Sequence, residues 1–376
     1  MNPTPTLPPS DTLPVDRLAG LFARVTNSYK FLFFMALLDE VEASASAPGP
    51  LSVHLDELAR GMLTRAWYPH TLFRLSFGAT DRVGQLLDGL AARAPGANRV
   101  RPNDTDSVRA HITSHFGPGS SELRSLQRYV PTRLLRPFLG EHVGSGSDVD
   151  AQLEAASRVH FLDACPLYRF DDDGQGIEVH PGWREYLMAS SAIVRGWCMW
   201  EWTLYMQAKN PSTPSLVSKL IPSPRREPWT FQKTFFDTAL GHGALHCPYS
   251  GAPVGQDYAL DHFLPWSFVA HNRLFNLAPI APSLNASKGS RLPHGDYVGA
   301  LSASMASALG LAWSHLSGPI RGRIREEFAG DLGLDIKPLL TQPAALSATL
   351  DAAYEQTYGA LFMQARRQGF EGDWRA

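Results

Sequence analysis

His246–Pro293 reads HCPYSGAPVGQDYALDHFLPWSFVAHNRLFNLAPIAPSLNASKGSRLP, and its reading decides what the chain is for. Tyr258 to Leu260 has the composition of a short strand, and it delivers Asp261 and His262 side by side. Pro265 then bends the chain into a loop. Leu274 to Ile280 reads as a returning strand, and Pro282 to Ser290 as a short helix carrying Asn285 and Lys288. Strand, loop, strand, helix brings the two ends of the segment together.

That arrangement suits phosphodiester cleavage, which needs an activated water, a counter-charge for the developing oxyanion and a held leaving group. Asp261 offers a carboxylate oxygen and Asn285 an amide oxygen. Two oxygen ligands completed by water or phosphate suit Mg²⁺, or Mn²⁺, better than Zn²⁺. His262 faces away from Asp261, because adjacent strand side chains point to opposite faces. It is therefore the candidate general base, activating water from the far side of the scissile phosphate. Asn276 carries an amide able to tie down the loop backbone and orient His262. Lys288, three residues after Asn285 on the same helix face, is placed to meet a phosphate oxygen.

The spacing D-H-x13-N-x8-N-x2-K resembles the HNH endonuclease motif, the ββα-metal fold, in the variant where Asp and Asn stand in for metal-binding histidines. The resemblance extends to Pro265 and the flanking FNLAPI. It implies metal ligation by Asp261 and Asn285, a general base at His262 and a bracing role for Asn276. DNA is the implied substrate, and bacterial antiphage defence or restriction the implied setting. Many members carry two CxxC pairs on a structural zinc. Here Ser250 stands where a second cysteine would follow Cys247, so no structural zinc is expected. Tyr249, Trp266 and Phe268 are expected to hold the module by packing.

Outward from this segment, the 376 residues are 44% hydrophobic and 19% charged, a globular composition that excludes general disorder. The net charge of −2 excludes a polybasic protein, so nucleic acid must be met through a local patch or a partner. Cys165, Cys198 and Cys247 are too few and too scattered for a disulfide framework, which fits a cytoplasmic protein. The longest apolar run, Phe31 to Leu38, is too short for a bilayer, and no membrane role is expected.

The expected fold class is mainly α with a small α+β ββα-metal module. The expected organisation is a disordered N-terminus at 1–12, then a helical targeting or regulatory domain at 13–210. A Pro-rich linker at 211–228 leads to the nuclease at 229–300, and C-terminal helices at 301–376 pack on it. A buried helix is expected from Phe31 to Val41, another helix from Val53 to Ala66, and the longest helical stretch from Pro181 to Lys209. That stretch carries Trp183, Tyr186, Leu187, Ile193, Trp197, Trp200 and Leu204, a stripe that suits either a base-stacking groove or, in the plainer reading, a buried helix face. Candidate phosphate contacts are Lys219, Arg225, Arg226 and Lys233 around the boundary, with Arg273 and Arg291 in the module. His242, His246, Cys247 and His271 include metal-ligand types at irregular spacing, and Asp171–Gly174 reads as a solvated turn. DNA is the expected partner, with room for a guide-bearing or protein partner and for oligomerisation. The non-enzyme alternative is an HNH-fold binding subunit whose site is scaffold only.

Overall fold

The computed structural model describes residues 7–46, 49–93, 100, 103–221 and 228–376. They form two compact units, one from 7–211 together with 219–221, the other from 212–218 together with 228–376. Both are mainly helical. No helix among the described residues is long and apolar enough to cross a membrane.

In the first unit the helix Tyr29–Ala43 is apolar on all sides and buries every residue from Phe31 to Leu38. Its N-terminal end is fastened by Asp81, whose Oδ2 accepts from the Ser28 amide at 2.8 Å and the Ser28 hydroxyl at 2.6 Å. It packs on the helix Leu55–Trp67, and a Cβ at Gly61 would stand 2.8 Å from the Ala36 Cβ. The two backbones approach as closely as they do because position 61 carries no side chain.

The helix expected from Val53 begins two residues later. Leu51–His54 is a strand, β1, and the His54 side chain caps the helix by accepting from the Asp56 amide. Two further strands are β2, Tyr168–Phe170, and β3, Gly176–Val179. The sheet is antiparallel in the order β1-β3-β2. Leu51 and Val53 pair with residues of β3 that lie over 120 positions downstream, a pairing that helical-period reading cannot see.

The stretch from Pro181 to Lys209 is two helices, Pro181–Ala189 and Ser191–Lys209, broken at Ser190. The longest helix is Pro343–Arg367 in the second unit. The aromatic stripe divides: Trp183, Leu187 and Trp197 are core, whereas Ile193, Trp200 and Leu204 are exposed. The N-terminal stretch read as disordered is, from Leu7 on, held in place. Leu7 is buried, and the Pro8 carbonyl accepts from the Tyr186 hydroxyl at 2.7 Å.

In the second unit, β4, Ala259–His262, pairs antiparallel with β5, Leu277–Ile280, in a register that sets Asp261 opposite Ala278 and His262 opposite Leu277. Leu274–Asn276, expected as strand, is a single 3-10 turn leading into β5. The helix Pro282–Lys288 follows, with Pro282 in its first turn. Gly289 ends it at φ +53°, a backbone region that favours glycine. Around this element lie the helices Thr230–His242, Tyr297–Ala312, Gly318–Leu332 and Pro343–Arg367. They share one core with it, including Phe235, Phe263, Phe268, Leu301, Leu350 and Tyr358.

Candidate active site

β4 is unusual among the strands because it turns polar groups inward. Asp261 is 3% exposed, and both of its carboxylate oxygens are engaged. Oδ2 accepts from the Tyr249 hydroxyl at 2.6 Å, and Oδ1 from Lys288 Nζ at 3.1 Å. Lys288 also donates to the His262 carbonyl at 2.7 Å, so one ammonium ties the helix Pro282–Lys288 to two successive residues of β4. Burial pushes the Asp261 carboxyl above and the Lys288 ammonium below its ordinary pKa, and their contact opposes both shifts. Tyr249 is itself buried beside a carboxylate, which raises its pKa and keeps it a donor.

Tyr249 reaches Asp261 from a tight hairpin. The Cys247 amide bonds the Ala252 carbonyl at 2.9 Å and the Gly251 amide bonds the Cys247 carbonyl at 2.9 Å, with Gly251 at φ +69°. These are backbone bonds that close the turn through a single cysteine. The Tyr249 ring lies 5.1 Å from that of Trp374, edge to face, and the Trp374 amide bonds the Leu292 carbonyl at 3.0 Å. The polypeptide thus returns at its C-terminal end to cover Tyr249. Phe268 is fully buried, as packing of the module requires, but Trp266 is 37% exposed and stands outside that core.

His262 faces a different set of partners. Its Nε2 lies 2.9 Å from Asn272 Oδ1. Asn272 is held in turn by Gln232, which donates to its backbone carbonyl at 2.8 Å. The Trp229 ring sits at 5.3 Å from the imidazole. Burial lowers the imidazole pKa to about 4, outweighing the bond to Asn272, which raises it. At neutral pH the ring is therefore uncharged and able to take a proton.

Asn276 is fully buried and grips the two peptide groups that flank Leu264. Its Oδ1 accepts from the Leu264 amide and its Nδ2 donates to the Leu264 carbonyl, each at 2.9 Å. Tyr358 braces the clamp, donating to Asn276 Oδ1 at 3.2 Å and to the Phe275 carbonyl at 3.0 Å. The side chain that touches the His262 ring is Asn272, not Asn276, and the sequence reading passed Asn272 over.

Asn285 lies one turn before Lys288, half-buried, and its side chain makes no hydrogen bond among the described residues. Asp261 keeps carboxylate lone pairs to spare, and Asn285 carries an amide oxygen on the helix that follows β5. No group of three or more His, Cys, Asp and Glu side chains that would hold a metal occurs among the described residues. Oxygen donors alone fit a hard divalent cation whose remaining ligands are water and phosphate. They do not form a protein-only cage.

The basic residues separate. Lys233 is exposed on the helix Thr230–His242, with its Nζ 5.3 Å from the Tyr258 ring centre. Arg291 is exposed and donates to the Ser287 and Lys288 carbonyls, closing the helix end. Arg273 is 44% exposed and turned toward Asp331 at 3.7 Å and Glu327 at 4.0 Å. Lys219 does not sit on a surface: it is buried in the first unit, 5.8 Å from the Phe73 ring centre, and burial lowers its pKa to about 7. A lysine among prolines reads as solvated, but the short helix Leu216–Leu220 carries this one inward. Arg225 and Arg226 lie outside the described residues. His242 stacks on His315 with ring centres 3.4 Å apart.

Set beside known families, residues 247–294 match the model of the HNH endonucleases, a family of nucleases. No curated protein and no solved structure matches the chain.

Proposed function

Residues 247–294 being an HNH endonuclease segment, we propose that the protein is a metal-dependent DNA endonuclease in which β4, β5 and the helix Pro282–Lys288 act as a ββα-metal module. The observation that carries this reading is the pairing on β4 of a buried carboxylate with a half-buried imidazole, each with its own separate anchors.

His262 is the general base. Its ring is uncharged, Asn272 on Nε2 and the His271 backbone orient it, and its lone pair takes a proton from water. Asp261 and Asn285 are the oxygen ligands of Mg²⁺ or Mn²⁺. When bound there, the ion supplies charge stabilisation for the pentacovalent phosphate and the departing oxygen. Asn276 keeps the Leu264 peptide, and with it the end of β4, in one geometry. Lys233 and Arg291, both exposed, are the proposed contacts to backbone phosphates. One such site cuts one strand per visit, so nicking is the expected primary event.

The first unit, near neutral in a chain of net charge −2, is the region for targeting or for docking a protein or guide-bearing partner. The setting proposed is cytoplasmic, in restriction or antiphage defence. The scaffold-only alternative draws on one observation, the engagement of both Asp261 oxygens within the protein.

The test is conversion of supercoiled plasmid to open circle by purified protein with Mg²⁺ or Mn²⁺, beside His262→Ala and a chelator control. Nicking that needs both the ion and His262 is expected. A folded wild-type protein that leaves plasmid intact, with and without the products of neighbouring genes, overturns the catalytic reading in favour of the scaffold.

A further inference from the structure

We propose that Lys288 is a resident counter-cation that competes with the divalent ion for Asp261, so that ion and nucleic acid bind this site interdependently. The inference rests on the nuclease reading above and deepens it.

Three observations carry it. Lys288 is fully buried, and its Nζ contacts two acceptors on β4, Asp261 Oδ1 at 3.1 Å and the His262 carbonyl at 2.7 Å. The other Asp261 oxygen is held by Tyr249 at 2.6 Å. Among the described residues no group of three His, Cys, Asp and Glu side chains gathers to hold a metal. Among the described residues the charged partner of Asp261 is Lys288, and that of Lys288 is Asp261. A dication approaching Asp261 meets no surplus of negative charge, and it meets an ammonium already on the carboxylate.

A buried lysine in this place has two consequences. It satisfies Asp261 while no ion is bound, since a buried carboxylate without a partner is costly. It also keeps the ion's affinity low until a phosphodiester arrives. The phosphate brings both the missing negative charge and further oxygen ligands. It also offers Lys288 another acceptor. Ion and DNA then each raise the affinity of the site for the other.

The test measures Mn²⁺ binding to the full chain without DNA, by the loss of the free-ion EPR signal. Wild type is compared with Lys288→Gln, which keeps a donor for both acceptors but removes the charge, and with Lys288→Met. The expected result is roughly tenfold or greater tightening in Lys288→Gln. Wild type is expected to tighten by a similar factor when an uncleavable phosphorothioate duplex is present. A folded Lys288→Gln with Mn²⁺ affinity equal to or weaker than wild type overturns the proposal. If a variant unfolds without ion, Mn²⁺ is expected to restore its fold, and failure to do so counts against the proposal equally. Unchanged affinity in a protein whose wild type nicks plasmid sinks this inference alone. Absence of Mn²⁺ binding in all three proteins, with no nicking by wild type, sinks the site reading with it.

Discussion

The two sheets among the described residues treat charge in opposite ways. In the first unit, Val53, Tyr168, Phe170, Ile177 and Val179 point into the core, while Arg169 and Glu178, cross-strand neighbours, pair at 2.7 Å on the partly exposed face. In the second unit, β4 buries Asp261 against Lys288 and half-buries His262. The first pattern is what strand alternation and apolar burial produce unaided. The second runs against burial and persists only because Tyr249, Lys288, Asn272 and Gln232 supply partners for the polar groups. Where local rules are broken and every breach is compensated, the arrangement points to chemistry rather than to stability.

That contrast can be broken most sharply at His262. Its replacement by Ala is expected to lower the nicking rate roughly 10³-fold while leaving the melting temperature within a few degrees of wild type. A variant that melts far lower would recast His262 as a core residue. Next in size, Asn276→Ala leaves the Leu264 amide and carbonyl buried without partners. It should destabilise the second unit by about 3 kcal/mol, measured by denaturant unfolding. A loss under 1 kcal/mol would mean that the loop is braced elsewhere.

Lys219 sharpens the comparison from the other side, as a buried charge with no place in the proposed chemistry. Its folded pKa of about 7 lies below the ordinary value of 10.5. The unfolded chain therefore holds the extra proton between these values, and stability contributed at this residue rises as pH climbs through that window. From pH 7 to pH 9 the gain is on the order of 2 kcal/mol. Lys219→Met should remove the pH dependence and raise stability most at pH 7. Equal effects at both pH values would contradict the burial. The half-exposed Arg169–Glu178 pair is the control: Glu178→Gln should change stability by no more than about 0.5 kcal/mol, and less at high salt. The Cys247 hairpin, closed by backbone bonds, should give the same thermal melt with and without a zinc chelator.

The elements of the site stood out in the sequence because five residues of four types stand at fixed spacing within 28 positions, and because strand and helix periods place them. Asp261 and Lys288 were visible on that basis as residues, but not as a pair. Lys288 was read toward phosphate because spacing gives a side chain's face and not its partner. Asn272 escaped notice as one polar residue in a polar loop. Tyr249 was legible as packing, yet its hydroxyl matters only once the hairpin folds back on β4. Tyr358 and Trp374 lay beyond local reading altogether, since each acts on residues more than 80 positions earlier. β1 was hidden for the same reason, and the break at Ser190 because neither proline nor glycine marks it. Lys219 shows the reverse failure, where local composition spoke clearly for solvent and the tertiary fold overruled it.

Tyr358 follows Asn276 by 82 residues, and Trp374 lies later still. A ribosome makes polypeptide from the N-terminus at roughly 5–20 residues per second. A nascent chain therefore emerges with Asp261, His262, Asn276 and Lys288 several seconds before the tyrosine that braces their loop and the tryptophan that covers Tyr249. Assembly of the site is timed by translation. Chains abandoned before Tyr358 carry Asp261, His262, Asn276 and Lys288 without the side chains that brace their loop and cover Tyr249.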